Sequence, residues 1–149
     1  MSEPTSVLYW DASALLSLVF ADVHSDIALS CRHRSGTVHL LSSLAYTETC
    51  AVISRLSTSG TLEPAQADQA RRSFLVPPWR HTNALPAWEI VPSLARRWPL
   101  RGADLWHLAC ALTLLDALPE LQLLSFDKRL HEAALGEGLA WMHDSPAMG

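Results

Sequence analysis

Asp11, Glu48, Asp104 and Asp127 are the residues whose type and placement in this chain could support chemistry. Asp11 ends a short apolar, aromatic-rich run at 7–10, and Asp127 ends the apolar run LQLLSFD. Glu48 falls in the first turns of a helical pattern that follows a second β-rich run, and Asp104 opens a strongly apolar helical stretch. In open parallel sheets such positions gather along the carboxyl edge of the strands, so the four carboxylates are expected to converge there. Like charges brought together raise one another's pKa unless a cation compensates them. An oxygen-only donor set with no Cys or His ligand spacing nearby selects a hard ion, Mg²⁺ or Mn²⁺, over zinc. Such an ion activates a bound water and stabilises phosphate in an in-line displacement, which makes phosphodiester hydrolysis the expected reaction. Taken singly, each acid has a plainer role. Asp11 could cap the first helix, Asp104 could favour the start of its own, and Glu48 could be a solvated helical residue. Their joint placement is what favours a site.

The elements that must position these acids read as an alternation of strands and helices. A strand at 7–10 leads through Asp11 into a helix that Ser13 is expected to cap, and a second helix at 25–34 ends at Ser35 and Gly36. TVHLLSS supplies the second β-rich run, followed at once by a helix at 44–56 and, after a turn, by a helix with Pro64 near its first position. Between 76 and 99 the prolines 77, 78, 86, 92 and 99 interrupt every element, leaving a weak strand at 80–85 and a kinked helix. The helix near Asp104, the buried strand LQLLSFD and the helix KRLHEAAL follow. Gly136 and Gly138 are the stop signals of that last helix, and LAWM is a candidate final strand. This order predicts an α/β fold with a mainly parallel central sheet flanked by helices and right-handed crossovers.

Composition sets the limits. At 149 residues, 49% hydrophobic and 17% charged, the chain suits a single compact domain over 1–149 with a large core. No apolar run is long and clean enough for a membrane span, and MSEPTSVLYWD has no basic n-region, so a cytoplasmic protein without a secretory leader is expected. Cys31, Cys50 and Cys110 show no C-x-x-C spacing and read as packed, reduced thiols. A net charge of −4 does not exclude a nucleic-acid partner, because acids that hold divalent cations reverse the sign of their own site.

Beyond the acids, His107 follows Asp104 by three residues and reads as a packed core histidine that shares a helix face with that acid. The other six histidines show no ligand spacing. Arg71, Arg72, Arg96, Arg97 and Arg101 form either a basic rim for RNA phosphates or ordinary solvated helix faces. Trp79, Trp88 and Trp98, set among prolines, read as plugs of a small core or dimer face rather than as base-stacking platforms.

The segments YWDASALLSLV, SSLAYTETCAVISRL, LRGADLWHLACAL and LLSFDKRLHEAALGEGL, in this order, resemble the motifs of PIN-domain nucleases, in particular the VapC-like toxins of bacterial toxin–antitoxin pairs. The resemblance covers most of the chain except the proline-rich middle. It implies a parallel sheet flanked by helices and a metal-dependent endoribonuclease. Asp11, Glu48 and Asp104 would be acidic ligands of Mg²⁺ or Mn²⁺, with Asp127 as the fourth acid. It also places Ser125 where the family has Ser or Thr, bonding Asp11 or ordering a water, and Ser13 as a small polar residue after the first acid. A homodimer and a cognate antitoxin, whose C-terminal segment occupies the groove, are implied as well. Trp106 departs from the family pattern, which more often has a smaller or aliphatic residue there. Two other readings stay open at this level. One is a Mg²⁺-dependent phosphatase with Asp11 as aspartyl nucleophile, although Ser13 stands where that mechanism wants a second acid. The other is a receiver-like, partner-binding α/β module.

Overall fold

The computed structural model describes residues 6–143. Its centre is one sheet of four parallel strands, β1 (Ser6–Trp10), β2 (Thr37–Ser42), β3 (Trp79–Thr82) and β4 (Leu121–Leu124), in the order β3-β2-β1-β4. The helices among the described residues are α1 (Ala12–Val19), α2 (Ser25–Arg32), α3 (Ser43–Thr58), α4 (Pro64–Ser73), α5 (Val91–Arg97), α6 (Gly102–Leu115) and α7 (Lys128–Gly136). The α/β class and the mainly parallel sheet are as the sequence predicts, and the sheet is parallel throughout. The expectation about a secretory leader falls partly on residues 1–5, outside the described residues. No described helix is long and apolar enough to cross a membrane.

Strand β1 is apolar on both faces because both faces are covered. Val7 and Tyr9 point into a core with Leu108 to Ala111 of α6 and Leu130, Ala133 and Ala134 of α7. Leu8 and Trp10 point the other way, to Ala14 and Leu15 of α1, Ala28 and Cys31 of α2, and Ala45 of α3. The period of two along one strand thus divides the helices between two layers. On the second face the Trp10 indole N–H donates to His39 Nδ1 at 3.0 Å, and burial pushes the His39 pKa down to about 4, which keeps the ring a neutral acceptor. Burial also pushes the Cys31 thiol up to about 11, so it packs as an unreactive small group, and all three cysteines are free.

Several expectations need correction. Ser13 does not cap α1; the N-cap is Asp11, whose Oδ1 accepts from the Ala14 amide at 2.9 Å. Strand β4 stops at Leu124, not at Asp127, because Ser125 Oγ turns to accept the Asp127 amide and Asp127 caps α7 through Leu130. β3 lies at Trp79–Thr82 rather than 80–85, ended by the Ala84 amide donating to Thr82 Oγ1. The kinked helix resolves into a 3₁₀ turn, Trp88–Ile90, running into α5 with Pro92 in its first turn. LAWM forms no strand but a single parallel bridge between Ala140 and Leu123.

The two stop glycines of α7 also divide their roles. Gly138, at φ +84°, makes the left-handed turn that ends the helix. Gly136 is still helical and is small because the Trp98 indole lies where a Cβ would go. That indole donates from Nε1 to Glu137 Oε2 at 2.8 Å, and Arg97 adds two further bonds to the same carboxylate. Trp98 therefore clamps the end of α5 onto the end of α7. Gly136→Ala should force the indole out and destabilise the protein by about 1–3 kcal/mol, the usual cost of overpacking, measurable as a lower urea midpoint at unchanged slope.

Candidate active site

Strand order brings Asp11 and Ser125 together. The chain goes from β1 to β2 and β3 on one side, then returns to place β4 on the other, so the carboxyl ends of β1 and β4 form the switch point where open α/β sheets open a crevice. Asp11 follows β1 there, and Ser125 follows β4. Ser125 donates to Asp11 Oδ2 at 2.5 Å, and Ser13 donates to Asp11 Oδ1 at 2.7 Å. Ser13 Oγ also accepts the Phe126 amide at 2.9 Å. The two serines thus join the loops after β1 and β4 around one carboxylate.

That carboxylate is buried, with 3% of its surface exposed. Burial raises the Asp11 pKa, and the bonds from Ser125, Ser13 and the Ala14 amide act against the rise without cancelling it. Asp104, in the first turn of α6, is half-buried. Its pKa is raised first by burial and then by the charge of Asp127, with Glu48 adding to the rise and His107 and Arg101 opposing it. Asp104, Asp127 and Glu48 therefore lie within electrostatic reach of one another. Asp104 and Asp127 share a cleft of about 390 Å³ with Arg101, Lys128 and Arg129. Of the arginines singled out in the sequence, only Arg101 lies here. Arg97 bonds Glu137 and Arg71 pairs with Asp68, whereas Lys128 and Arg129, which directly follow Asp127 and lie outside the basic rim expected from the sequence, line the cleft.

Glu48 is placed differently from the aspartates. It sits in the second turn of α3, whose N-cap Ser42 ends β2, and its side chain is 31% exposed. The Glu48 Oε1 atom lies 2.7 Å from Nε2 of His107, which is fully buried on α6 one turn beyond Asp104. Because a carboxylate only accepts, Nε2 carries the proton of this bond. The other ring nitrogen, Nδ1, lies 2.6 Å from the Tyr9 hydroxyl. Burial holds the Tyr9 pKa well above its ordinary value, so Tyr9 remains a phenol. His107 is thus a core histidine, as its sequence context predicts, and one with a polar partner at each nitrogen. The only advance sign of its tie to Glu48 was its spacing of three from Asp104.

Among the described residues no three His, Cys, Asp or Glu side chains lie close enough together to hold a metal ion as they stand. The donor set nevertheless suits a hard divalent ion: carboxylate oxygens, one of them on a buried Asp11 and another on an Asp104 already raised by its acidic neighbours. A cation placed among them would relieve both the burial and the repulsion. In metal-free protein the raised Asp104 pKa means that the native state binds protons more tightly than the unfolded chain. Its favourable contribution is present at acid pH and is lost as pH rises through the native value. Asp104→Asn should accordingly melt at a higher temperature than wild type in EDTA at neutral pH. The gap should close as pH falls into the ordinary carboxylate range, which thermal denaturation at the two pH values checks.

A family model described as the PIN domain matches residues 8–135. Ribonuclease VapC45 of Mycobacterium tuberculosis (strain CDC 1551 / Oshkosh) is 32% identical over 136 residues, spanning 89% of this chain and 92% of the relative. Ribonuclease VapC49 of Mycobacterium tuberculosis (strain ATCC 25618 / H37Rv) matches to the same extent, 32% over 136 residues. Among solved structures, PAE2754 from Pyrobaculum aerophilum superposes with a TM-score of 0.60 at 19% identity, covering 91% of this chain and 88% of that one, a likeness of fold. With its sheet order, its acidic crevice and relatives of this extent, the chain belongs to the PIN-domain family.

Proposed function

We propose that this chain is a VapC-like endoribonuclease that hydrolyses RNA phosphodiester bonds with Mg²⁺ or Mn²⁺, held by Asp11, Glu48, Asp104 and Asp127. The observation that carries this reading is the pairing of Asp104 and Asp127 in one cleft, where burial and acidic neighbours raise the Asp104 pKa, together with the buried Asp11 carboxyl at the β1–β4 switch point. Relatives named as ribonucleases over nearly the whole chain support the RNA substrate. A divalent ion, when bound, supplies a nucleophilic water at neutral pH and counters charge on phosphate.

The chain's own residues have separable roles. Ser125 and Ser13 hold both oxygens of Asp11 in one orientation. Arg101, Lys128 and Arg129 line the cleft beside Asp104 and Asp127, where they would draw in the phosphates of the RNA strand. The proposal extends to one domain over 1–149, a homodimer, and a cognate antitoxin as inhibitor. The aspartyl-phosphatase alternative is disfavoured, since Ser13 stands where that mechanism wants a second acid and donates to Asp11 Oδ1 instead.

Purified protein should cleave a mixed small-RNA pool into discrete products with Mg²⁺ or Mn²⁺ and lose that activity in EDTA. Asp11→Asn, which can still cap α1 through its side-chain oxygen, should keep the fold by circular dichroism. Its cleavage rate should fall on the order of 10³-fold or more, as when one member of a concerted catalytic group is removed. Full cleavage by that variant would sink the assignment.

A further inference from the structure

Of the acids, Glu48 is the one on a long, partly exposed side chain, and such a side chain loses rotamer freedom when it is fixed at a site. The geometry points to His107 as the residue that fixes it: His107 is a positioning residue that holds Glu48 Oε1 through Nε2 and leaves Oε2 for a cation. This rests on the cation-dependent reading above and names how one ligand of that site is oriented.

The ring of His107 is itself locked. The Tyr9 hydroxyl meets Nδ1 at 2.6 Å, and the ring packs edge-on against Tyr9, centroids 5.7 Å apart, and against Trp106 at 5.4 Å. Tyr9 lies on β1 two residues before Asp11, and His107 lies on α6 one turn beyond Asp104. The sequence Tyr9, His107, Glu48 therefore runs from the strand that bears Asp11, through the helix that bears Asp104, to the side chain of Glu48 on α3. The orientation of the third acid is thereby tied to the same two elements that place the other two. Trp106, the departure from the family pattern, forms one wall against the ring. Hydrogen bonds of this kind, made behind a ligand rather than to the ion, set ligand orientation and commonly matter about 10–100-fold in metal affinity.

A histidine that merely fills the core and satisfies Tyr9 would need Nδ1 alone; a positioning residue needs the donor at Nε2. Two amide substitutions separate these roles, because the terminal nitrogen of Gln reaches about where Nε2 lies, whereas that of Asn reaches only the Nδ1 position. The test titrates Mn²⁺ alone into the full chain, following free ion by electron paramagnetic resonance, for wild type, His107→Gln, His107→Asn and Glu48→Gln. Each protein is also melted without metal. His107→Asn and Glu48→Gln should bind Mn²⁺ about 10-fold more weakly or worse, while His107→Gln stays close to wild type. Folded His107→Asn that binds Mn²⁺ as tightly as wild type, or His107→Gln that falls as far as His107→Asn, would overturn the role of His107 while leaving the cation site standing. Wild type that binds no Mn²⁺, or Glu48→Gln that binds it undiminished, would overturn the cation reading itself. If neither amide variant folds, Tyr9→Phe decides: it removes only the hydroxyl that locks the ring, so weaker Mn²⁺ binding supports the chain of contacts and unchanged binding rejects it.

Discussion

Keeping the carboxyl of Asp11 out of water is the constraint on which the rest of the structure depends. Removing a carboxylate from water costs several kcal/mol even after the protein relaxes around it. Each hydrogen bond to a charged group returns only about 1.5–3 kcal/mol. Ser125, Ser13 and the Ala14 amide provide three such bonds, yet burial still dominates and the Asp11 pKa remains raised. The arrangement exists only if β4 lies beside β1, since Ser125 is 114 residues away in sequence. Sheet order, the break of β4 at Leu124 and the serine links between the two loops all serve this one group.

The second face of the same problem is repulsion among acids. Asp104 lies beside Asp127 and within reach of Glu48, and Arg101, Lys128 and Arg129 share its cleft. Two acids and three bases share that opening, so its local charge departs from the net −4 of the chain. Helix α6 is central to this. Its first turn carries Asp104 at the cleft, while the next turns, His107 to Ala111, are buried against β1 and α7. The acid is thus mounted on one of the most rigidly packed elements of the fold, as a site requiring fixed geometry demands.

The aromatic residues show how context divides similar residues. Trp79 is buried among Trp10, His39 and Phe74, as a core plug should be. Trp98 instead clamps α5 to α7, with its indole N–H on Glu137 and its ring against Gly136. Trp88 is 90% exposed beside Leu85, which is also exposed, so of the two roles expected of it, core plug or dimer face, it does not fill the first. Prolines set the backbone of this region but cannot say which ring turns inward, because that depends on partners brought in by other elements, β1 and β2 for Trp79 and α7 for Trp98.

Periodicity and type determined much of this protein from the sequence alone. Apolar residues on both faces of β1 and β4 point to a sheet covered on both faces, and acids placed at strand ends and helix starts point to a charged crevice at the carboxyl edge. Those rules need only neighbours in the chain, so the α/β class and the candidate acids were legible. Loop chemistry after strands was not. Whether Ser13 or Asp11 caps α1, and where β4 ends, depends on a side chain choosing between local and distant partners, and Ser125 and Phe126 settle that choice from the far end of the chain. The same holds for His107, whose spacing from Asp104 was visible but whose bonds to Tyr9 and Glu48 span 98 and 59 residues. Tertiary structure alone decided these contacts, because a hydrogen bond to a residue this remote exists only after the sheet has brought the two elements together.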